Sequence, residues 1–322
     1  MLFDSHVDTP TELVRHSINL GIDNPGAHVD FPKMKRAGVG GAFFALYTAA
    51  ELPADTATRL ALEMLSATYD SVEANADYAA LAFSPEEAAE NLKKGLISVF
   101  MGMENAAPIQ ESLSLLRTFY RLGVSYMTLT HNGDNAVADS AAEGKRWNGL
   151  SPFGREVVAE MNALGMMIDL SHASDKTFWD CIELSHAPIV ATHSCCRALC
   201  SHRRNLTDEM LRAIGEKDGY VGINFYPAFL SDQWESKLPG VQEIVNHIDH
   251  AVELAGLEHV GIGTDYDGIE VTPEGMENIS KTVLVWEEMK RRGYTEKEVE
   301  LISGQNLLNV FQRVINCSEL DS

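Results

Sequence analysis

The chain has 322 residues, 45% hydrophobic and 22% charged, the balance of a globular protein with a sizeable core, which excludes disordered, collagen-like and coiled-coil architectures. Lys and Arg number 25 against 47 Asp and Glu, a formal charge of −22, which argues against a nucleic-acid partner because phosphate binding depends on cationic side chains. No run approaches the ~18 apolar residues of a membrane span, and the opening MLFDSHVDTP reads as a strand rather than a secretory leader, so a cytoplasmic protein with no membrane partner is expected.

Taken in chain order, short apolar runs alternate with helical patterns. Strands are expected at 2–8 and 40–48, a helix at 54–76, a strand at 96–104, a helix at 109–122 and a strand at 125–131. Ser151 and Pro152 then open a helix as N-cap and first residue. Val157, Val158, Met161 and Leu164 follow at helical spacing, and Gly165 closes it. Strands follow at 165–172, 188–194, 220–226 and 259–268, with helices at 207–216, 241–256 and 279–292 between and after them. Thr295 and Glu298 form a capping-box pattern. The stretch 24–41 reads as loop-rich, a candidate wall of the site.

Runs that are apolar throughout, rather than alternating, suit a parallel sheet covered on both faces. Eight of them, separated by helices, point to an α/β fold, a distorted (β/α)8 (TIM) barrel occupying 1–322 as one catalytic domain. The open doubly wound alternative lacks its glycine-rich phosphate loop, since GVGG at 38–41 and GIG at 261–263 both fail the G-x-G-x-x-G pattern.

Ionisable residues gather at the ends of these runs. His6 and Asp8 end the first, Glu104 the third, His131 the fourth, His172 the fifth, His193 the sixth, and Asp265 and Asp267 the eighth. A lone histidine at a strand end is an ordinary hydrogen-bonded core residue, but in a barrel these ends meet at one mouth, where active sites of the fold sit. Histidines with Asp and Glu form a nitrogen–oxygen ligand set suited to Zn2+ or a similar divalent ion. The set is too large for one tetrahedral centre, and two ions bridged by one carboxylate would use it.

These residues carry a family resemblance. DSHVDTP, GMENAAPI, YMTLTHNGDNAVAD, GLSPFGREVVAEMNALGMMIDLSHAS, PIVATHS, SHRRNLTDEML, VGINFY, GIGTDYDG and GQNLLNVFQRV, in that order, make the chain similar to the renal (membrane) dipeptidases, peptidase family M19 of the amidohydrolase superfamily. The resemblance implies a metallo-dipeptidase with two zinc ions, acting on dipeptides and often tolerating a D-residue at the C-terminal position. It also implies that His6 and Asp8 bind one ion, His172 and His193 the other, and that Glu104 bridges them. His131 matches the family's substrate-contacting histidine, Arg204 its carboxylate-binding arginine, Asp265 its catalytic aspartate and Tyr226 a residue of the substrate pocket. Strand geometry alone leaves Asp265 and Asp267 equivalent. A homodimer is expected from family habit.

In the mechanism so implied, a hydroxide shared by the two ions attacks the scissile carbonyl. His131 hydrogen-bonds the developing oxyanion, and Asp265 takes the proton and returns it to the leaving amine. Arg204 holds the free carboxylate with two parallel hydrogen bonds. Two departures from the family pattern stand out. Asn105 occupies the place of a glycine after Glu104, and no counterpart of the secretory signal and lipid anchor of mammalian members is expected.

Cys195, Cys196 and Cys200 have no zinc-binding spacing and read as packed free thiols. His16, His28, His186, His247, His250 and His259 fit no constellation and are expected on the surface or in helices. Two competing functions use the same residues: deacylation of N-acyl (D-)amino acids at the same binuclear site, and a non-catalytic metal-binding scaffold.

Overall fold

In the computed structural model, which describes residues 2–142 and 145–318, the apolar runs become strands of one parallel sheet. The strands are β1 (Leu2–Val7), β2 (Val39–Tyr47), β3 (Ala79–Leu81), β4 (Ile97–Glu104), β5 (Val124–Thr128), β6 (Met167–Asp169), β7 (Ile189–Ala191), β8 (Tyr220–Ile223) and β9 (Val260–Ile262). They pair in the order β1-β2-β4-β5-β6-β7-β8-β9, and the short β3, which the sequence reading lacks, pairs only with β4. The two ends of the sheet meet. The Asp265 N–H donates to the His6 carbonyl at 3.0 Å and the Asp8 N–H to the Tyr266 carbonyl at 2.8 Å. Both oxygens of buried Asp4 accept from Thr264 across the same seam. The result is a nearly closed eight-stranded barrel wrapped by helices, as expected, and not an open sheet.

Seven of the barrel strands each send one large residue inward: Phe3, Phe43, Phe100, Tyr126, Met167, Val190 and Tyr220. Leu307, Val310, Phe311 and Val314, from the helix Asn306–Asn316, close this layer from one end. The Phe43 and Phe100 rings stack at 4.6 Å, and Phe311 meets both edge-on at 5.8 and 5.9 Å. Side chains alternate along a strand, so Phe100, Gly102 and Glu104 share the interior face. Gly102 is required there, because a Cβ would meet the Tyr126 ring at 2.1 Å. Glu104 is thereby carried to the other end of the barrel.

The caps read from sequence form. Ser151 Oγ accepts from the Gly154 N–H, Gly165 takes the left-handed conformation after Leu164, and Thr295 and Glu298 cap each other. Several expected strands end too late. The runs through His131, His172, His193 and Asp265 leave the ladder at Thr128, Asp169, Ala191 and Ile262, so these four residues lie in the loops just beyond the strands. The chain turns there, with positive φ at His172 (67°) and Asp265 (63°), and a turned backbone cannot continue the ladder. The stretch 24–41 is not all loop either: Asp30 caps the helix Phe31–Ala37, and β2 begins at Val39. Among the described residues, no helix is long and apolar enough to cross a membrane.

Candidate metal centre and active site

The barrel mouth holds a cavity of about 660 Å3, lined by Asp8, Glu104, His131, His172, Arg204, Tyr226 and Asp265 among others. His6 and His193, fully buried, lie beneath it. Every residue read from the sequence as a site residue is therefore at or under one mouth, although they come from loops and strand ends more than 250 positions apart along the chain.

The candidate ligand atoms divide between the two oxygens of Glu104. The His172 and His193 Nε2 atoms stand 3.0 and 3.5 Å from Oε1, and 3.1 Å from each other. His6 Nε2 stands 3.6 Å from Oε2 and 3.4 Å from Asp8 Oδ2, with Asp265 Oδ1 at 4.0 Å. Ligands bound at 2.0–2.1 Å around a tetrahedral ion stand about 3.3 Å apart, so this spacing suits shared ions. Two further observations fit the donor set to cations. His6 Nε2 and Asp8 Oδ1 are buried with no hydrogen-bond partner among the described residues. Gly268 leaves the floor open, since a Cβ there would meet Asp8 Oδ2 at 2.1 Å and Asp265 Oδ1 at 2.7 Å.

The far nitrogens of the three histidines are already held. His6 Nδ1 meets the Tyr126 hydroxyl at 2.7 Å, His172 Nδ1 the Asn132 side-chain oxygen at 3.1 Å, and His193 Nδ1 the Thr192 hydroxyl at 2.9 Å. Such outer partners orient imidazoles so that Nε2 faces a metal. Burial holds His172 and His193 well below the usual histidine range, in the neutral form that ligates. Burial also opposes charge on His6, but Asp8 and Glu104 beside it outweigh that and raise its pKa well above normal. Burial and the neighbouring Glu104 push the Asp8 carboxyl well up. Glu104, despite its burial, is held well down by His6 and His172.

The two aspartates that strand geometry left equivalent are separated by their partners. Asp267 is tied away from the mouth's centre, accepting from the Thr9 hydroxyl and the His28 N–H at 2.7 Å each. Asp265 accepts from Asn224 Nδ2 at 2.9 Å through one oxygen and turns the other toward His6 and Asp8. Arg204 is buried and donates to the His193 carbonyl and the Ser194 hydroxyl, leaving Nε without a partner among the described residues. Its guanidinium stands 5.2 Å from the Phe229 ring centroid, and Phe229 packs against Tyr226 at 5.1 Å. The His131 ring lies between Tyr47 and His172, 4.8 and 4.5 Å away.

Asn105, where a glycine was expected, answers the question of its loop. It takes φ 82°, a conformation Asn tolerates better than most residues, and its side chain bonds the Thr48 carbonyl at 3.0 Å. Cys195, Cys196 and Cys200 are free and buried, their thiols directed at backbone carbonyls. Four of the histidines set aside from the sequence have hydrogen-bond partners, His250 with Asp208 at 2.8 Å and His259 with the Gly219 carbonyl at 2.9 Å among them. His28 accepts from the Asp267 N–H, and His247, buried in its helix, bridges the Cys196 N–H and the Leu230 carbonyl. Sequence reasoning also passed over Tyr126, Asp169, Thr192 and Asn224. The available signal was a polar residue inside an otherwise apolar run, which burial obliges to find partners.

Fold and ligand set together define a metal-dependent hydrolase on a (β/α)8 barrel. The chain belongs to the membrane dipeptidase family, peptidase family M19, whose model matches residues 1–321. It is 36% identical over 331 residues to an uncharacterized dipeptidase of Schizosaccharomyces pombe, covering 97% of this chain and 80% of that protein. The dipeptidase AC, a family M19 metallopeptidase of known structure, is 31% identical with a TM-score of 0.91, covering 97% of this chain and 98% of that one. A metallopeptidase from Rhodobacter sphaeroides, solved with a phosphinate mimic of the dipeptide L-Ala-D-Ala, is 28% identical with a TM-score of 0.92, over 97% and 99% of the two chains. The protein is accordingly a peptide-bond hydrolase of the dipeptidase type.

Proposed function

We propose that the protein is a zinc-dependent dipeptidase that holds two ions and accepts a D-residue at the C-terminal position. The observation that carries the two-ion reading is the division of the candidate ligands about Glu104: His172 and His193 face one oxygen, and His6, with Asp8 beside it, the other. His6 and Asp8 would hold one ion, His172 and His193 the second, with Glu104 between them. Bound there, divalent ions supply a lowered pKa to water and polarise the scissile carbonyl.

The protein's own residues do the rest. Asp265, fixed at one oxygen by Asn224, has its other oxygen free to take a proton from the attacking water and pass it to the leaving amine. His131, at the cavity wall, would donate to the oxyanion. Arg204 is a buried cation with no carboxylate within ion-pair distance among the described residues, and a dipeptide's C-terminal carboxylate completes it. Tyr226 and Phe229 wall the cavity beside that anchor. The D-residue tolerance is supported by the ligand of the Rhodobacter sphaeroides relative.

The test is hydrolysis of L-Ala-L-Ala, L-Ala-D-Ala, N-acetyl-D-Ala and a phosphotriester by chelated and zinc-reloaded protein. The reloaded protein should cleave both dipeptides, and chelation should abolish this. Asp265→Asn should lower kcat by about 10²–10⁴-fold with its zinc retained. Turnover of the acylated amino acid alone would keep the metal site and replace the substrate class. No turnover at all would overturn the reading.

A further inference from the structure

We propose that Asp169 and Thr192 are positioning residues that place the ring proton of His193 on Nδ1, leaving Nε2 free for a metal ion; this rests on the metal reading above. Asp169 ends β6, and Thr192 follows β7 immediately before His193. All three are buried, so hydrogen bonds within the protein rather than with water decide where the protons sit.

The chain of donors runs one way. Each oxygen of Asp169 already accepts twice. Oδ1 takes the N–H groups of Ser171 (3.0 Å) and Thr192 (2.9 Å), and Oδ2 the hydroxyls of Thr128 (2.5 Å) and Thr192 (2.7 Å). A hydroxyl has one proton, and Thr192 gives it to the carboxylate, which accepts only. Toward His193 Nδ1, at 2.9 Å, the same oxygen can then only accept. The imidazole must carry its proton on Nδ1, and its lone pair on Nε2 faces Glu104 and His172. This is the carboxylate–histidine–metal arrangement with a hydroxyl interposed. It also decides how to read the grouping of Asp169 with His6 and His193, whose ligand atoms lie within 4.8 Å of one another. With four donors aimed at it, the Asp169 carboxylate has no lone pair to spare for an ion.

Two substitutions break the chain differently. Thr192→Val keeps the shape but removes the acceptor, so the buried Nδ1–H is orphaned or its proton moves to Nε2. Asp169→Asn replaces an acceptor oxygen with a donor amide and frees the Thr192 hydroxyl to donate to Nδ1, which again moves the ring proton to Nε2.

The experiment has two readouts. Long-range 1H–15N correlation spectra of chelated, 15N-histidine-labelled protein, with His193 assigned by a His193→Asn variant, report the tautomer directly. Wild type should show Nδ1–H and Asp169→Asn should show Nε2–H. Competition titration with a chromophoric zinc chelator should show one of two ions bound 10–100-fold more weakly in Thr192→Val, with Thr192→Ser restored to within about twofold. An Nε2–H tautomer in wild type, or wild-type zinc affinity in Thr192→Val, overturns the proposal. Should Thr192→Val fail to fold, the wild-type and Asp169→Asn spectra decide. Wild type that binds no zinc would sink the metal reading, while the tautomer still judges the hydrogen-bond chain by itself.

Discussion

Asn105 shows how one residue can serve a backbone angle and a hydrogen bond at once. Directly after Glu104 the chain turns with φ 82°, where a Cβ costs roughly 1–2 kcal/mol for an ordinary L-residue. Asn lowers that cost; its amide also donates to the Thr48 carbonyl, and its oxygen accepts from Asn135 Nδ2 and the Ala107 N–H. Asn105→Ala incurs the backbone cost and loses all three bonds, whereas Asn105→Gly loses the bonds alone. The alanine variant should therefore unfold at lower urea than the glycine variant, by about 1 kcal/mol in extrapolated stability. Equal midpoints would mean that the side-chain bonds, and not the angle, hold this turn.

At the scale of elements, the helix Val241–Ala255 carries a buried histidine, His247, outside the lining of the mouth. His247 on its inner face accepts from the Cys196 N–H and donates to the Leu230 carbonyl, each at 3.1 Å, so both nitrogens are engaged in the neutral ring. Burial lowers its pKa from 6.5 to about 4, with His250 and Glu243 of the same helix acting in opposite senses. The unfolded chain binds a proton below pH 6.5 that the fold refuses. The stability from this residue is thus whole above pH 6.5 and falls as pH drops toward about 4, by roughly 3 kcal/mol in all. Urea unfolding of chelated protein across this range should show this contribution on top of those of buried His172 and His193, so His247→Gln should have a shallower slope than wild type; parallel slopes would assign the dependence elsewhere. His247 could not be singled out from the sequence, because its partners lie on other segments. The barrel strands were legible because burial on both faces makes them apolar throughout. Their ends were not, since the apolar and polar residues of LSH or THS continue past the last ladder bond. The helix Phe31–Ala37 was masked by surrounding Gly and Pro, although Asp30, Pro32 and Gly38 are its own start and stop signals.

For the whole molecule, the barrel brings Asp8, Glu104 and Asp265 into one buried mouth from three distant segments, an arrangement the residue types announced but only closure of the sheet assembles. Three carboxylates so close repel one another, and Arg204, the buried arginine of the mouth, is within ion-pair distance of none of them. Divalent ions that bind only the folded form would compensate this charge and stabilise it by about 4 kcal/mol for each ion at a thousand times its Kd. Calorimetry should then show chelation lowering the Tm by roughly 10 °C, with zinc restoring it. Asp8→Asn adds the sharper test. It removes a carboxyl that burial and Glu104 disfavour, and one candidate ligand with it, so the chelated variant should melt at or above chelated wild type. With zinc added, it should melt below zinc-loaded wild type. That reversal of order is expected only if the acidic mouth is built for cations at the expense of the ion-free fold. A variant less stable by the same margin in both states would show that Asp8 serves the fold and not the ions.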